Sequence, residues 1–190
     1  VNISLNTDFP QGTTVGALSG ANVLGTIKDC YSVGTITGGK LMTDGLIGID
    51  IGGIVERCYS KVNVQDDRKD EYNRVGGLIG HVANAYINDQ NSIESMIQRC
   101  YATGNVYGTG YAGGLIGCMD TGTVENCYSM GNIAGQMAAG GLIGAEGNGI
   151  IKNCYFTGDV VGEKNVVYQK GTGRAIDGEV GGICGWGSHI

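Results

Sequence analysis

The sequence predicts an all-β chain wound as a right-handed, single-stranded parallel β-helix, a β-solenoid of about five to six coils. Three observations predict it. A glycine-bracketed apolar step of the G-G-L-I-G type recurs six times, centred on Leu18, Leu46, Leu78, Leu115, Leu142 and Ile183. Five of these steps are followed by a Cys-Tyr pair, beginning at Cys30, Cys58, Cys100, Cys127 and Cys154. The base period is 27 to 28 residues, inside the range of roughly 20 to 50 that marks units able to bury their apolar face only against neighbouring copies. The hand follows from the general preference of parallel crossovers and from no particular residue.

Within a coil the elements follow from column positions. Four of the five Leu-to-Cys intervals are 12 residues and the fifth, Leu78 to Cys100, is 22, so one coil carries a ten-residue insertion. With that insertion removed, Ile27, Val55, Ile97, Val124 and Ile151 share one column, and Ile36, Val64, Val106, Ile133 and Val160 share another. β-Branched columns suit the inward side of a pleated, packed surface. Each coil therefore has three short apolar segments separated by Gly or Asn, too short and too glycine-rich for helices. A leucine-rich-repeat horseshoe overlaps in period, but its additional leucine positions are missing.

The Cys-Tyr step requires a bend. Strict alternation from Ile27 would bury the column Asp29, Arg57, Arg99, Asn126 and Asn153, which is expensive without partners. A bend at that column turns the five cysteines inward as a ladder of reduced thiols and stacks Tyr31, Tyr59, Tyr101, Tyr128 and Tyr155 on an outer face. The column Thr35, Asn63, Asn105, Asn132 and Asp159 suits a corner that needs left-handed backbone or side-chain capping. Lys28, Glu56, Gln98, Glu125 and Lys152 share an outer column, so stacking sets Lys28 beside Glu56 and Glu125 beside Lys152, pairs that specify register more than they stabilise.

Bulk composition agrees. With 190 residues, 42% of them hydrophobic, and repeats from end to end, residues 1–190 read as one solenoid domain, expected to be a segment of a longer protein. The 37 glycines with one proline and no three-residue rhythm exclude collagen. A net charge of -6 argues against a nucleic-acid partner, which would require clustered Lys and Arg. No apolar run approaches the roughly 18 residues that span a bilayer. Five of the seven cysteines fall at one repeat position, where stacked side chains about 4.8 Å apart lie outside comfortable disulfide geometry.

The string from Gly113 to Gly135, with G-G-L-I-G followed by a β-branched residue, N-C-Y-S and then N-I, resembles the GLUG repeat. The likeness extends from about Gly16 to Gly185, departing from the pattern at Ala17, Ser19 and Asp44 and again at Cys184. That family occurs in bacterial cell-surface and secreted proteins, including non-catalytic regions of immunoglobulin A1-cleaving metallopeptidases. The resemblance implies an extracellular module for adhesion, display or spacing. Its partners would be a host or cell-surface protein or glycan and the adjoining domains of the parent chain. It supplies no catalytic residues.

No catalytic motif is legible, and no catalytic residue, metal ligand or cofactor is assigned. A polysaccharide-active β-helix enzyme would need carboxylates converging from adjacent coils, whereas Asp44, Asp50 and Asp120 fall in different columns. His81 and His189 lie too many coils apart to share a metal, and His81 is read as a strand-end surface residue. Ligand binding is expected, if anywhere, in insertions that escape the packing of the coil. The long Cys58-to-Leu78 interval contributes Asp66, Asp67, Asp70 and Tyr72, read first as a solvated charged loop. The insertion around Asn84 to Ser95 contributes Tyr86 and is also read as a solvated loop, and the long interval after Cys154 contributes Tyr168. An outer tyrosine ladder is the other candidate for carbohydrate. The structural columns are the five cysteines with Leu46, Leu78, Leu115 and Leu142.

Overall fold

The structure, a computed structural model, describes residues 2–4, 14–38, 42–66, 73–162 and 179–187. It is all-β, with parallel strands stacked as a solenoid of about five turns. Three sheets run along its axis. Sheet I has six strands, among them Met42–Asp44, Arg74–Gly76, Tyr111–Gly113 and Ala138–Gly140. Sheet II follows the central Leu and includes Ile47–Ile51, Ile79–Ala83, Ile116–Glu125 and Ile143–Lys152. Sheet III begins at the tyrosine and includes Tyr31–Thr37 and Tyr59–Asp66; in later coils it breaks into pairs such as Tyr101–Ala102 and Val106–Gly108.

The turn from sheet I to sheet II is made by the glycine-leucine step. A Cβ on Gly76, Gly113 or Gly140 would lie 1.8–1.9 Å from the carbonyl oxygen of Ile79, Ile116 or Ile143 in the same coil. Glycine is therefore a steric requirement at these positions. The leucines then bond from coil to coil, with the N–H of Leu46 donating to Leu78 O at 3.0 Å and that of Leu78 to Leu115 O at 2.9 Å. Leu46, Leu78, Leu115 and Leu142 are fully buried, while Leu18 in the first coil is 48% exposed.

The predicted bend is a left-handed corner. Asp29, Arg57, Arg99, Asn126 and Asn153 all have φ between 51° and 55°. For a residue with a side chain this conformation costs roughly 1–2 kcal/mol, and asparagine tolerates it best. The corner reverses the alternation, so the cysteines join the leucines in one apolar core while the tyrosines face out. The Asn63 column resolves differently. Its left-handed option is not used; instead Asn63 Oδ1 accepts the N–H of Asn105, and Asn105 Oδ1 accepts that of Asn132, both at 2.9 Å.

The cores are two. One gathers the leucine, Val55 and cysteine columns from sheets II and III, and the other gathers Ile36, Val64, Val106 and Ile133 of sheet III with Val75, Ala112 and Ala139 of sheet I. The insertion after Asn84 is exposed to solvent, as expected, but it is a regular element and not a loop. Ala85–Asn88 and Asn91–Ile93 pair antiparallel as a hairpin, closed by Asn88 Oδ1 accepting the N–H groups of Gln90 and Asn91. Polar composition alone conceals this, because the turn chemistry sits inside a stretch that scores as loop throughout.

Candidate functional site

The tyrosine ladder forms as expected: Tyr31, Tyr59, Tyr101, Tyr128 and Tyr155 stack with ring centroids 4.8–5.0 Å apart and planes within 8°. The register forces it, since each tyrosine is the strand partner of the next. The ring faces are spent on one another, and the stack presents edges along its length. A sugar platform uses open aromatic faces, so the ladder serves mainly to cover sheet III.

The thiols also lie along one line. Cys58 N–H donates to Cys100 Sγ at 3.4 Å, Cys100 N–H to Cys127 Sγ at 3.3 Å, and Cys127 N–H to Cys154 Sγ at 3.4 Å. All are free thiols; Cys30 and Cys154, at the two ends of the line, are only partly buried. On the outer face Lys28 Nζ sits 2.9 Å from Glu56 Oε2, and Arg57 grips Asp29 through two bonds of 2.7 and 2.8 Å. The Arg57 guanidinium holds the Asp29 carboxyl below its ordinary value. Glu125 and Lys152 are strand partners as well.

Of the residues proposed for ligand binding, Asp67, Asp70, Tyr72 and Tyr168 lie outside the described residues. Asp66 closes the strand Tyr59–Asp66 and is fully buried, so it is not part of a solvated loop. It occupies a column otherwise filled by glycine, as at Gly108. Thr43 Oγ1 lies 3.4 Å from Asp66 Oδ2, and Asp44 of the same coil is also fully buried, its Oδ1 accepting the N–H of Gly76 at 2.7 Å. Burial pushes the Asp44 carboxyl well up, and the neighbouring Asp66 adds to the rise. Tyr86 projects from the hairpin, 79% exposed, beside the exposed Ile87.

Asp50 and Glu146 are buried in one inward column of sheet II, separated there by Val82 and Met119. Asn22 Nδ2 donates to Asp50 Oδ1 at 2.6 Å, and Glu146 accepts the N–H of Gly149. Among the described residues these carboxylates are sealed inside the coil and do not converge in an open groove.

One cluster escaped the sequence reading. His81 is neither at a strand end nor on the surface: it stands in the middle of Ile79–Ala83 and is 9% exposed. Its strand partner in the next coil is Cys118, equally buried, and Asp120 lies two residues further along the same strand. A period of two puts Cys118 and Asp120 on one face. His81 Nε2 is 3.0 Å from Asp120 Oδ2, and Cys118 Sγ is 3.8 Å from Asp120 Oδ1. The His81 contact holds the Asp120 carboxyl down, whereas burial pushes the Cys118 thiol up to about 11. The signal existed in the sequence, since His81 and Cys118 both stand three residues after a central leucine.

Residues 71–107 and 135–161 match the model of the GLUG motif. No curated protein and no solved structure matches the chain. The two matched stretches hold the third and fifth coils, and the intervening coil from Gly113 to Gly135 pairs with both in unbroken register. Over those stretches the chain carries the GLUG motif, and its parallel coils form a repeat solenoid.

Proposed function

We propose that the chain is an extracellular module of a bacterial surface or secreted protein, serving as a stiff spacer that displays adjoining adhesive or effector domains. In this reading residues 1–190 form one solenoid domain of a longer protein. The observation that carries it is the continuity of the ladders. Leucine, cysteine, tyrosine and asparagine columns all run from coil to coil without a break in register, and such a stack resists bending because every coil is bonded to the next along three sheets. Five coils give an axial length of about 24 Å, at about 4.8 Å each.

Surface shaving of intact cells that produce the parent protein tests the location. Protease should release peptides of this chain without lysis, and their complete protection would overturn the reading. Removing one repeat, Gly113 to Ala139, should leave a folded, shorter spacer, because the flanking coils present matching columns.

A second reading, a carbohydrate-binding module, is favoured by one feature. A shallow groove of about 380 Å³ on the outer side of sheet III is lined by Asn63, Gln65, Asn105, Tyr107 and Asn132. The Oδ1 atoms of Asn63, Asn105 and Asn132 accept backbone N–H groups, which leaves their amide NH₂ groups as evenly spaced donors for hydroxyls. A glycan array with the whole chain and with a Tyr107→Ala variant tests it: retained glycans lost in the variant would support carbohydrate binding, and an empty array would remove it.

A further inference from the structure

We propose that His81, Cys118 and Asp120 form a binding site for a divalent transition metal of the zinc class, on the outer face of sheet II where the third and fourth coils meet. Nothing in the solenoid packing requires these residue types. The column that holds His81 and Cys118 otherwise carries Ala21, Ile49, Ala145 and Trp186, so the fold accepts small or apolar side chains there. Two adjacent coils nevertheless supply an imidazole, a thiol and a carboxylate whose ligating atoms all lie within 4.8 Å of one another.

The dimensions suit a metal. Bonds of roughly 2.0–2.3 Å in a tetrahedral site place ligand atoms about 3.3–3.8 Å apart, close to the 3.0 and 3.8 Å observed between Asp120 and its two neighbours. Asp120 turns one oxygen to His81 and the other to Cys118. His81 Nε2 is buried, and its polar neighbour in the cluster is Asp120 Oδ2 at 3.0 Å, so the imidazole nitrogen and the carboxylate face the same space. His81 and Cys118 are about nine-tenths buried while the Asp120 side chain is 58% exposed. The site thus has two buried ligands at its floor and an exposed one at its mouth.

A nitrogen, sulfur and oxygen donor set favours zinc and its neighbours over calcium or magnesium, which take oxygen alone. Cys118 would bind as thiolate, its proton passing to solvent. Arg74 stands beside Cys118 and Asp120; it favours the thiolate but repels a dication, so an affinity in the micromolar range is expected. Of the ladder thiols, Cys100 and Cys127 are poor competitors, because each is buried in the core and accepts a backbone N–H from the adjoining coil.

Titration of the whole chain with Co²⁺ and Zn²⁺, under reducing conditions, tests the site. One equivalent of Co²⁺ should bind with a sulfur-to-cobalt charge-transfer band, and Zn²⁺ should displace it. Cys118→Ala and His81→Ile, which install residues already found in that column, should keep the fold by circular dichroism and weaken binding at least tenfold, with the charge-transfer band lost in Cys118→Ala. Asp120→Asn, at an exposed position, should weaken binding without touching the core. Absence of stoichiometric binding, or a band unchanged by Cys118→Ala in a folded protein, would overturn the proposal.

Discussion

The second and fourth coils have the same path and different interiors. In the fourth, Ala112, Gly113 and Gly135 fill their columns with the smallest residues, and sheet II runs as one ten-residue strand, Ile116–Glu125. In the second, the matching positions are Thr43, Asp44 and Asp66, all buried, and sheet II is broken at Gly52 and Gly53. Yet Met42 and Thr43 pair with Thr14 and Val15, and Tyr59 through Gln65 pair with Tyr31 through Thr37, without slippage. Register is held by the backbone ladders and the leucine column, and the small-residue columns are where the two coils differ.

Making the fourth coil resemble the second should have the largest effect. Gly113→Asp places a side chain where the Ile116 carbonyl leaves no space and a charge where no partner waits, and it should destabilise by about 3 kcal/mol or more in urea unfolding. A smaller loss would show that the second coil's geometry is available to every coil. The reverse change is milder. Asp44→Asn keeps an acceptor for the Gly76 N–H but carries no charge to desolvate, so it should stabilise by about 1–3 kcal/mol at pH 7.

That gain depends on pH. With its carboxyl raised in the fold, native Asp44 binds more protons than the unfolded chain between the ordinary value of 3.8 and the raised one, so wild-type stability falls as pH rises through that window. The Asn variant lacks this slope. Its advantage should shrink as pH is lowered towards 4, and a difference that stays constant with pH would show that charge is not the cause.

The tyrosine ladder sharpens the comparison between interior and end coils. Tyr101→Ala removes two stacking partners and should cost about 1–3 kcal/mol, whereas Tyr31→Ala, 62% exposed with one partner, should cost about half as much. Thermal melts of both variants decide it. Smallest of all is the corner: Arg99→Asn relieves a left-handed residue of its poor side chain and should stabilise by up to about 1 kcal/mol, less whatever its exposed contact with Glu56 at 3.3 Å contributes.

How much of this was readable beforehand varies with the residue. The bend before each cysteine followed from the cost of burying Asp29 or Arg57, and the inward and outward columns followed from that bend. The hairpin at Ala85–Ile93 did not, because one isolated insertion has no second copy to align with. Asp66 was misread because an acidic run invites a solvated reading, although its column, with Gly108 and Gly135, was available for comparison.

The repeat period and its columns specify which residues become vertical neighbours, since a parallel stack converts equal spacing in sequence into contact in space. Left to the folded coil were the depth at which each neighbour lies and which side chains from different columns meet across a face. His81 and Cys118 are paired by their common position, but their burial and the arrival of Asp120 within bonding distance depend on how sheets I and II close against each other. That closure is a property of packing, and packing joins residues that no period relates.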